Sequence, residues 1–244
     1  MSGNELRKTF GPTHHALLFA WLSREVVHRV GEEKGETIVR KAVRRYAGQR
    51  GERMAMRAQG NGHALTMNHY RAYGEWRHTD SDADAAEIVE QVPHLKQHVL
   101  KCPWHTAWQD NDLMPYGRFY CLEVDEALVR GFNPELTLEV NSTKTNDAEV
   151  CEFVFHDADD AVLEAILPQY REQFGVGETT VMPWDYHTGH LYKTVGAVII
   201  GELGAMGQKA VDAALVEFRD RYGEEAAQIV KAYQSTDFNH LPEK

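Results

Sequence analysis

The strongest constraint on the fold is where helical periodicity starts, stops and resumes along the chain. From Thr13 to Ala58, Leu17, Leu18, Trp21, Leu22, Val26 and Val30, then Ile38, Ala42, Val43 and Tyr46, recur at three- and four-residue spacing. That is the stripe by which an amphipathic helix meets a core. Gly31 and Gly35 bracket an expected break between two helices. A second helical region runs from about Tyr186 to Tyr233. A gapless shift of 172 positions lays His15 on His187, Val26 on Val198, Gly35 on Gly207, Val39 on Val211, Ala42 on Ala214 and Gly51 on Gly223, with Tyr46 falling on Phe218. A duplication leaves such a pattern, and two independent hairpins of similar periodicity satisfy it as well.

Between the two arms the pattern changes. Leu65 to Trp76 alternates roughly polar and apolar and reads as a strand. The acidic run from Asp80 to Asp84 reads as a loop, or as the cap of a short helix after it. Val99 to Trp108 reads as a strand, and Tyr116 to Arg130 as one helix ended by Gly131. The segments 136–141 and 150–155 alternate cleanly and are expected to pair as an antiparallel hairpin around Thr145. Residues 158–174 read as partly helical. The expected fold is therefore α+β: a central antiparallel sheet with helix, flanked by N- and C-terminal helical hairpins. A single domain over 1–244 is expected, with arms at 13–58 and 185–236 and a core at 62–175.

With 26 basic and 37 acidic residues, the net charge of −11 argues against a nucleic-acid backbone or an anionic membrane as partner. The basic residues from Arg40 to Arg57 are spread around a helix with Glu36 and Glu52 among them, as on a solvated face. The first residues lack the apolar run of a secretory signal, and the longest apolar stretch, Val195 to Leu203, is too short to span a bilayer. Three cysteines, an odd number, fit a reducing, cytoplasmic setting. A small-molecule substrate is the expected partner, and a homo-oligomer stays open.

All three cysteines lie between residues 102 and 151. Cys102 opens Cys-Pro-Trp-His, where His105 makes a thiol–imidazole pair or a second ligand available and Trp104 and Trp108 provide an aromatic wall. Cys121 and Asp125, four apart on the expected helix, share a face. A nearby acid raises a thiol pKa, so a nucleophilic Cys121 needs a histidine or a helix N-terminus to assist. Cys151 alternates with core positions of a strand. Each thiol also suits plain burial as a small apolar side chain. The densest polar cluster is Asp185-Tyr-His187-Thr-Gly-His190, in which two histidines three apart share a helix face, a spacing used for metal ligands or for a paired base and donor. Neither His-Glu-x-x-His nor paired-cysteine zinc spacing is present, so the cofactor is left as none, or a divalent metal such as zinc or manganese.

The order of these clusters resembles the L-2-amino-thiazoline-4-carboxylate hydrolase family. The resemblance rests on the amino-terminal histidine helix, on Lys-Cys102-Pro-Trp, and on Phe-Tyr-Cys121-Leu-Glu-Val-Asp125 continuing to Gly131-Phe-Asn-Pro. It is completed by Asp147 with Cys151-Glu-Phe and, further on, by Asp185-Tyr-His187 and Asp237-Phe-Asn. The segment Asn146-Asp-Ala-Glu-Val-Cys151-Glu-Phe is also similar to the hairpin of vinyl-reductase-type small-molecule-binding domains, without that motif's glycine and with one extra residue. The family resemblance implies a hydrolase of non-peptide carbon–nitrogen bonds that opens a small cyclic amide or amidine. Such chemistry needs a nucleophile, a general base near neutral pH and a donor for the departing nitrogen. The expected catalytic set is Cys121 or an activated water, His187 or His190, and Asp125 or Asp185. Cys102, Trp104, His105, Trp108, Tyr120, Trp184 and His15 are expected to bind a flat heterocycle. The alternative is a non-catalytic small-molecule-binding or sensor protein.

Overall fold

The computed structural model describes residues 3–76 and 83–242. A short helix α1 (Gly3–Arg7) precedes the first arm, α2 (Pro12–Val30) and α3 (Glu32–Gly60). Pro12 suits the first turn of α2, where its missing N–H leaves no bond unmade. Gly31, at φ 83°, makes the turn between the two helices. Gly35 lies inside α3 and allows that helix to press onto α2: a Cβ there would stand 2.8 Å from Val27 Cγ2.

The central block differs from the sequence reading in several places. Residues 65–76 hold no strand; the segment forms α4 (Met67–Ala72), with Thr66 capping it by accepting the His69 N–H. Met67 and Ala72 are buried, and a six-residue element shows too few turns for its period to be counted from sequence. The acidic run lies partly outside the described residues, and the element after it is a strand, β1 (Ala85–Glu90), rather than a short helix. The expected strand over 99–108 is β2 (Leu95–Lys101) followed by a helix, α5 (Pro103–Gln109). Pro103 ends the strand because it brings no ladder donor, and it starts the helix with its preset φ.

The single helix expected over 116–130 is two, α6 (Met114–Cys121) and α7 (Val124–Phe132). Cys121 and Asp125 thus do not share one helix face. The turn is held from outside: Glu123 accepts Arg40 Nε at 2.7 Å and pairs with Arg44 at 2.7 Å. Gly131 does not end the helix either. It lies within α7, where a Cβ would stand 2.4 Å from the Gly48 carbonyl, so it is the point at which α7 and α3 touch backbone to backbone. The expected hairpin forms as β3 (Leu138–Ser142) and β4 (Cys151–Phe155), pairing Leu138 with Phe155 and Val140 with Phe153. Then come α8 (Asp160–Phe174) and the closing helices α9 (Trp184–Leu203), α10 (Ala205–Tyr222) and α11 (Glu224–Ala232).

The fold is α+β, with two compact units. The first comprises Met1–Tyr46, Pro103–Glu123 and Pro183–Thr236. In it the two helical arms pack on each other, α2 meeting both α9 and α10, with α5 and α6 laid against α2. The shift that aligns the arms in sequence also aligns their elements: α2 falls on α9, and α3 on α10 with α11. Gly207 repeats the role of Gly35, its Cβ position 2.4 Å from the Ile199 carbonyl, and Ile199 is the counterpart of Val27.

The second unit comprises Ala47–Cys102, Val124–Met182 and Asp237–Lys244. Its four-stranded antiparallel sheet has the order β1-β2-β4-β3. Leu95, Leu138, Met67, Val129 and Ala158 form the core, where the sheet meets α4 and α7. Among the described residues no helix is long and apolar enough to cross a membrane.

Candidate functional site

Polar groups are costly to bury unless they are bonded, so three histidines at zero exposure mark the place to look. They are His15 of α2 and His187 and His190 of α9, all in the first unit. The rings around His15 include Tyr46 at a centroid distance of 5.6 Å, Trp104 at 5.8 Å, Tyr120 at 5.6 Å and Trp184 at 6.2 Å. Trp104 and Trp184 also touch each other, at 5.5 Å. The Trp104 indole N–H donates to His15 Nδ1 at 3.1 Å, and His15 Nε2 lies 2.9 Å from the Tyr46 hydroxyl.

Local structure explains the convergence. Beginning α5 at Pro103 sets Trp104 and Trp108 one turn apart on one face. Trp108 fastens that face to α2 by donating its indole N–H to the Ala16 carbonyl at 2.8 Å, and Trp104 then reaches His15, the residue before Ala16. On α9, His190 packs its ring 4.5 Å from that of Tyr46. His187 contacts Trp184 at 5.5 Å and Tyr186 at 5.8 Å. Asp185, in the first turn of α9, is buried and accepts from Arg7 at 2.5 Å and from the Tyr233 hydroxyl at 2.7 Å. Burial and the Asp185 carboxylate both push the Tyr233 phenol up. Asp185 therefore ties α1 and the chain after α11 to the start of α9.

The structure thus brings together His15, Trp104, Tyr120, Trp184, His187 and His190 from the sequence reading. His105 is half-buried on α5. His14, beside His15, is stacked between Phe10 at 4.8 Å and Tyr222 at 4.1 Å, and burial pushes it down to about 4. Cys121 is half-buried at the last position of α6, one residue after Tyr120. A sequence signal existed for Tyr46, which the reading placed only in an apolar stripe. Its counterpart under the shift is Phe218, so this arm carries a hydroxyl where the other has none.

Cys102, Asp125 and Cys151 belong to the second unit. Burial pushes the Cys151 thiol up, against the Lys144 backbone N–H that donates to its sulfur at 3.3 Å. Burial also pushes the Asp125 carboxyl up to about 6, a rise that Arg50 opposes and Glu126 reinforces. Part of the Asp125 surface meets solvent, while the protein around it desolvates the carboxyl. A raised carboxylate pKa costs stability once the unfolded chain has ionised, so the loss grows as pH rises from the ordinary value near 4 towards 6. Asp125→Asn is therefore expected to stabilise the protein by about 1–3 kcal/mol above pH 6 and to change little at pH 4. Urea midpoints at the two pH values check this, and an equal effect at both would refute it.

Among the described residues no three His, Cys, Asp or Glu side chains are grouped to hold a metal ion. No curated protein and no solved structure matches the chain. The profile of the L-2-amino-thiazoline-4-carboxylic acid hydrolase family matches residues 13–155, from α2 to the end of β4, ahead of the helix that carries His187 and His190. That span is more than half of the 244 residues, and the chain belongs to this hydrolase family.

Proposed function

We propose that the protein hydrolyses a carbon–nitrogen bond in a small cyclic amide or amidine, opening the ring, with His190 as general base. One observation carries this reading: in a member of a hydrolase family, the His190 imidazole packs against Tyr46 within a buried group of aromatic rings. An imidazole is the side chain suited to taking a proton from water near neutral pH. Indole and phenol rings offer flat apolar faces to a planar heterocycle. The substrate in the family's name is such a ring, bearing an amidine-like carbon.

Water, rather than a cysteine, is the nucleophile in this reading. Cys121 sits at the carboxyl end of α6, where the helix dipole is negative and disfavours a thiolate. Burial holds the Cys151 thiol protonated. His187, one turn before His190, adds a second imidazole to the same lining, and Asp185 positions the start of the helix that carries both.

Incubation of the protein with L-2-amino-thiazoline-4-carboxylic acid and with simple cyclic amides in heavy-oxygen water tests the reading. A ring-opened product carrying one labelled oxygen is expected. Thermal stabilisation by these compounds with no product formed over hours would replace it by a binding role. Loss of all turnover in Cys121→Ser, with the fold intact, would return the nucleophile's place to the thiol.

A further inference from the structure

We infer that the half-buried end of the sheet's inner face is a further small-molecule site, and that it takes a planar amidinium whose N–H groups Asp125 accepts. The site lies wholly in the second unit and does not depend on what the His190 group turns over.

The sheet supplies the floor. Leu95 and Leu138 face the core, so residues two along from them, with their cross-strand partners, share that face. One row therefore runs across all four strands through Ile88, Gln97, Phe153 and Val140. Leu95 and Leu138 are buried, whereas every member of this next row keeps contact with solvent. The opposite face is occupied by its own bonds, with Glu152 meeting His98 and accepting from Asn141, each at 2.9 Å.

The helices supply the roof. Val129 of α7 and Met67 of α4 pack into the same core. Asp125 lies one turn before Val129 and Tyr70 one turn after Met67, so each continues the core-facing side of its helix. Asp125 is within electrostatic reach of Tyr70 and of Cys151, which shares the sheet face of Phe153.

Three polar groups here lack bonds of their own. The Asp125 carboxylate, the Tyr70 hydroxyl and the Gln97 amide make no side-chain hydrogen bond among the described residues, and none is sealed from water. Protein surrounds Asp125 and Tyr70 closely enough to raise both groups, yet solvent reaches them, as it does in a recess. An unpaired carboxylate so placed costs stability, and binding sites are where proteins bear such costs. Arg50 of α3 and Glu126 of α7 also act on Asp125, but the Arg50 guanidinium lies 3.6 Å over the Trp76 ring.

The chemistry selects the ligand. Two unbonded carboxylate oxygens match the paired N–H groups of an amidinium. Phe153 and Ile88 offer apolar surface to a flat body attached to it, and Gln97 and Tyr70 can each donate to or accept from a polar substituent.

Calorimetric titration of the full chain with benzamidine, and with benzamide as its neutral isostere, tests the site. Benzamidine is expected to bind at least about tenfold more tightly than benzamide. Asp125→Asn, expected to be the more stable protein above pH 6, is expected to lose about tenfold or more in benzamidine affinity. Glu152→Gln, on the other face of the same sheet, is expected to lose none. Burial keeps Tyr70 and Cys151 protonated, so affinity follows the ionisation of Asp125 and is expected to fall about tenfold from pH 7.5 to pH 5.0. No benzamidine binding at millimolar concentration, equal affinity for benzamide, or full affinity in Asp125→Asn overturns the site. So does an equal loss in Glu152→Gln, because the general acidity of the chain would then be holding the ligand.

Discussion

Replacing Glu75 with alanine is expected to destabilise the protein by about 3–5 kcal/mol. Glu75 has no exposed surface and takes two bonds from Arg53, Nε at 3.0 Å and NH2 at 2.8 Å, and one from Arg57 at 2.6 Å. Arg50 lies 3.6 Å away with its guanidinium 3.6 Å over the Trp76 ring. Burial alone pushes the Glu75 carboxyl up, but Arg53, followed by Arg57 and Arg50, outweighs it and holds the group below its ordinary value. Removing this carboxylate takes a buried charge away from Arg53 and Arg57 and leaves a cavity in its place, which is why the cost exceeds that of losing a surface pair. The pH dependence comes from the lowered pKa. The stabilisation is complete above about 4.5 and is lost as pH falls through the folded value. Urea unfolding of Glu75→Ala and Glu75→Gln at pH 7 measures the effect, with glutamine expected to recover part of it through the arginine N–H bonds. A change under about 1 kcal/mol for alanine would show that the arginines have other means of neutralisation.

The largest effect on turnover is expected at His190. His190→Gln keeps most of the volume and some hydrogen-bonding capacity but cannot take a proton, so kcat is expected to fall about 10²–10⁴-fold. Circular dichroism and the unfolding midpoint of the variant are expected to stay near those of the wild type. His187→Gln, which leaves the contact between His190 and Tyr46 untouched, is expected to lose less. Steady-state kinetics on both variants separate the roles of the two imidazoles. A larger loss at His187 would exchange them.

Both groups show how differently parts of this protein were written in its sequence. The helical arms were legible because their apolar stripes persist over many turns, so that periodicity alone excludes a strand. The hairpin of β3 and β4 was legible because strict alternation bounded by Asn and Asp has few other readings. The division between α6 and α7 was not. Leu122 and Glu123 carry no Gly or Pro, and the turn is fixed by Arg40 and Arg44 from a helix about eighty residues away along the chain. The helix α4 was mistaken for a strand because a six-residue element shows too few turns for its period to be counted.

The site divides in the same way. Sequence by itself determined which chemistry was on offer: imidazoles at the head of each arm, indoles after Cys102, and a family pattern of hydrolases. It could not determine which histidine does what, because His14 and His15 are adjacent in the chain and chemically identical. Packing alone separates them, one ring stacked between Phe10 and Tyr222, the other held by Trp104 and facing Tyr46. Burial and ring partners belong to the pairing of groups far apart in sequence, so only the tertiary structure decides them.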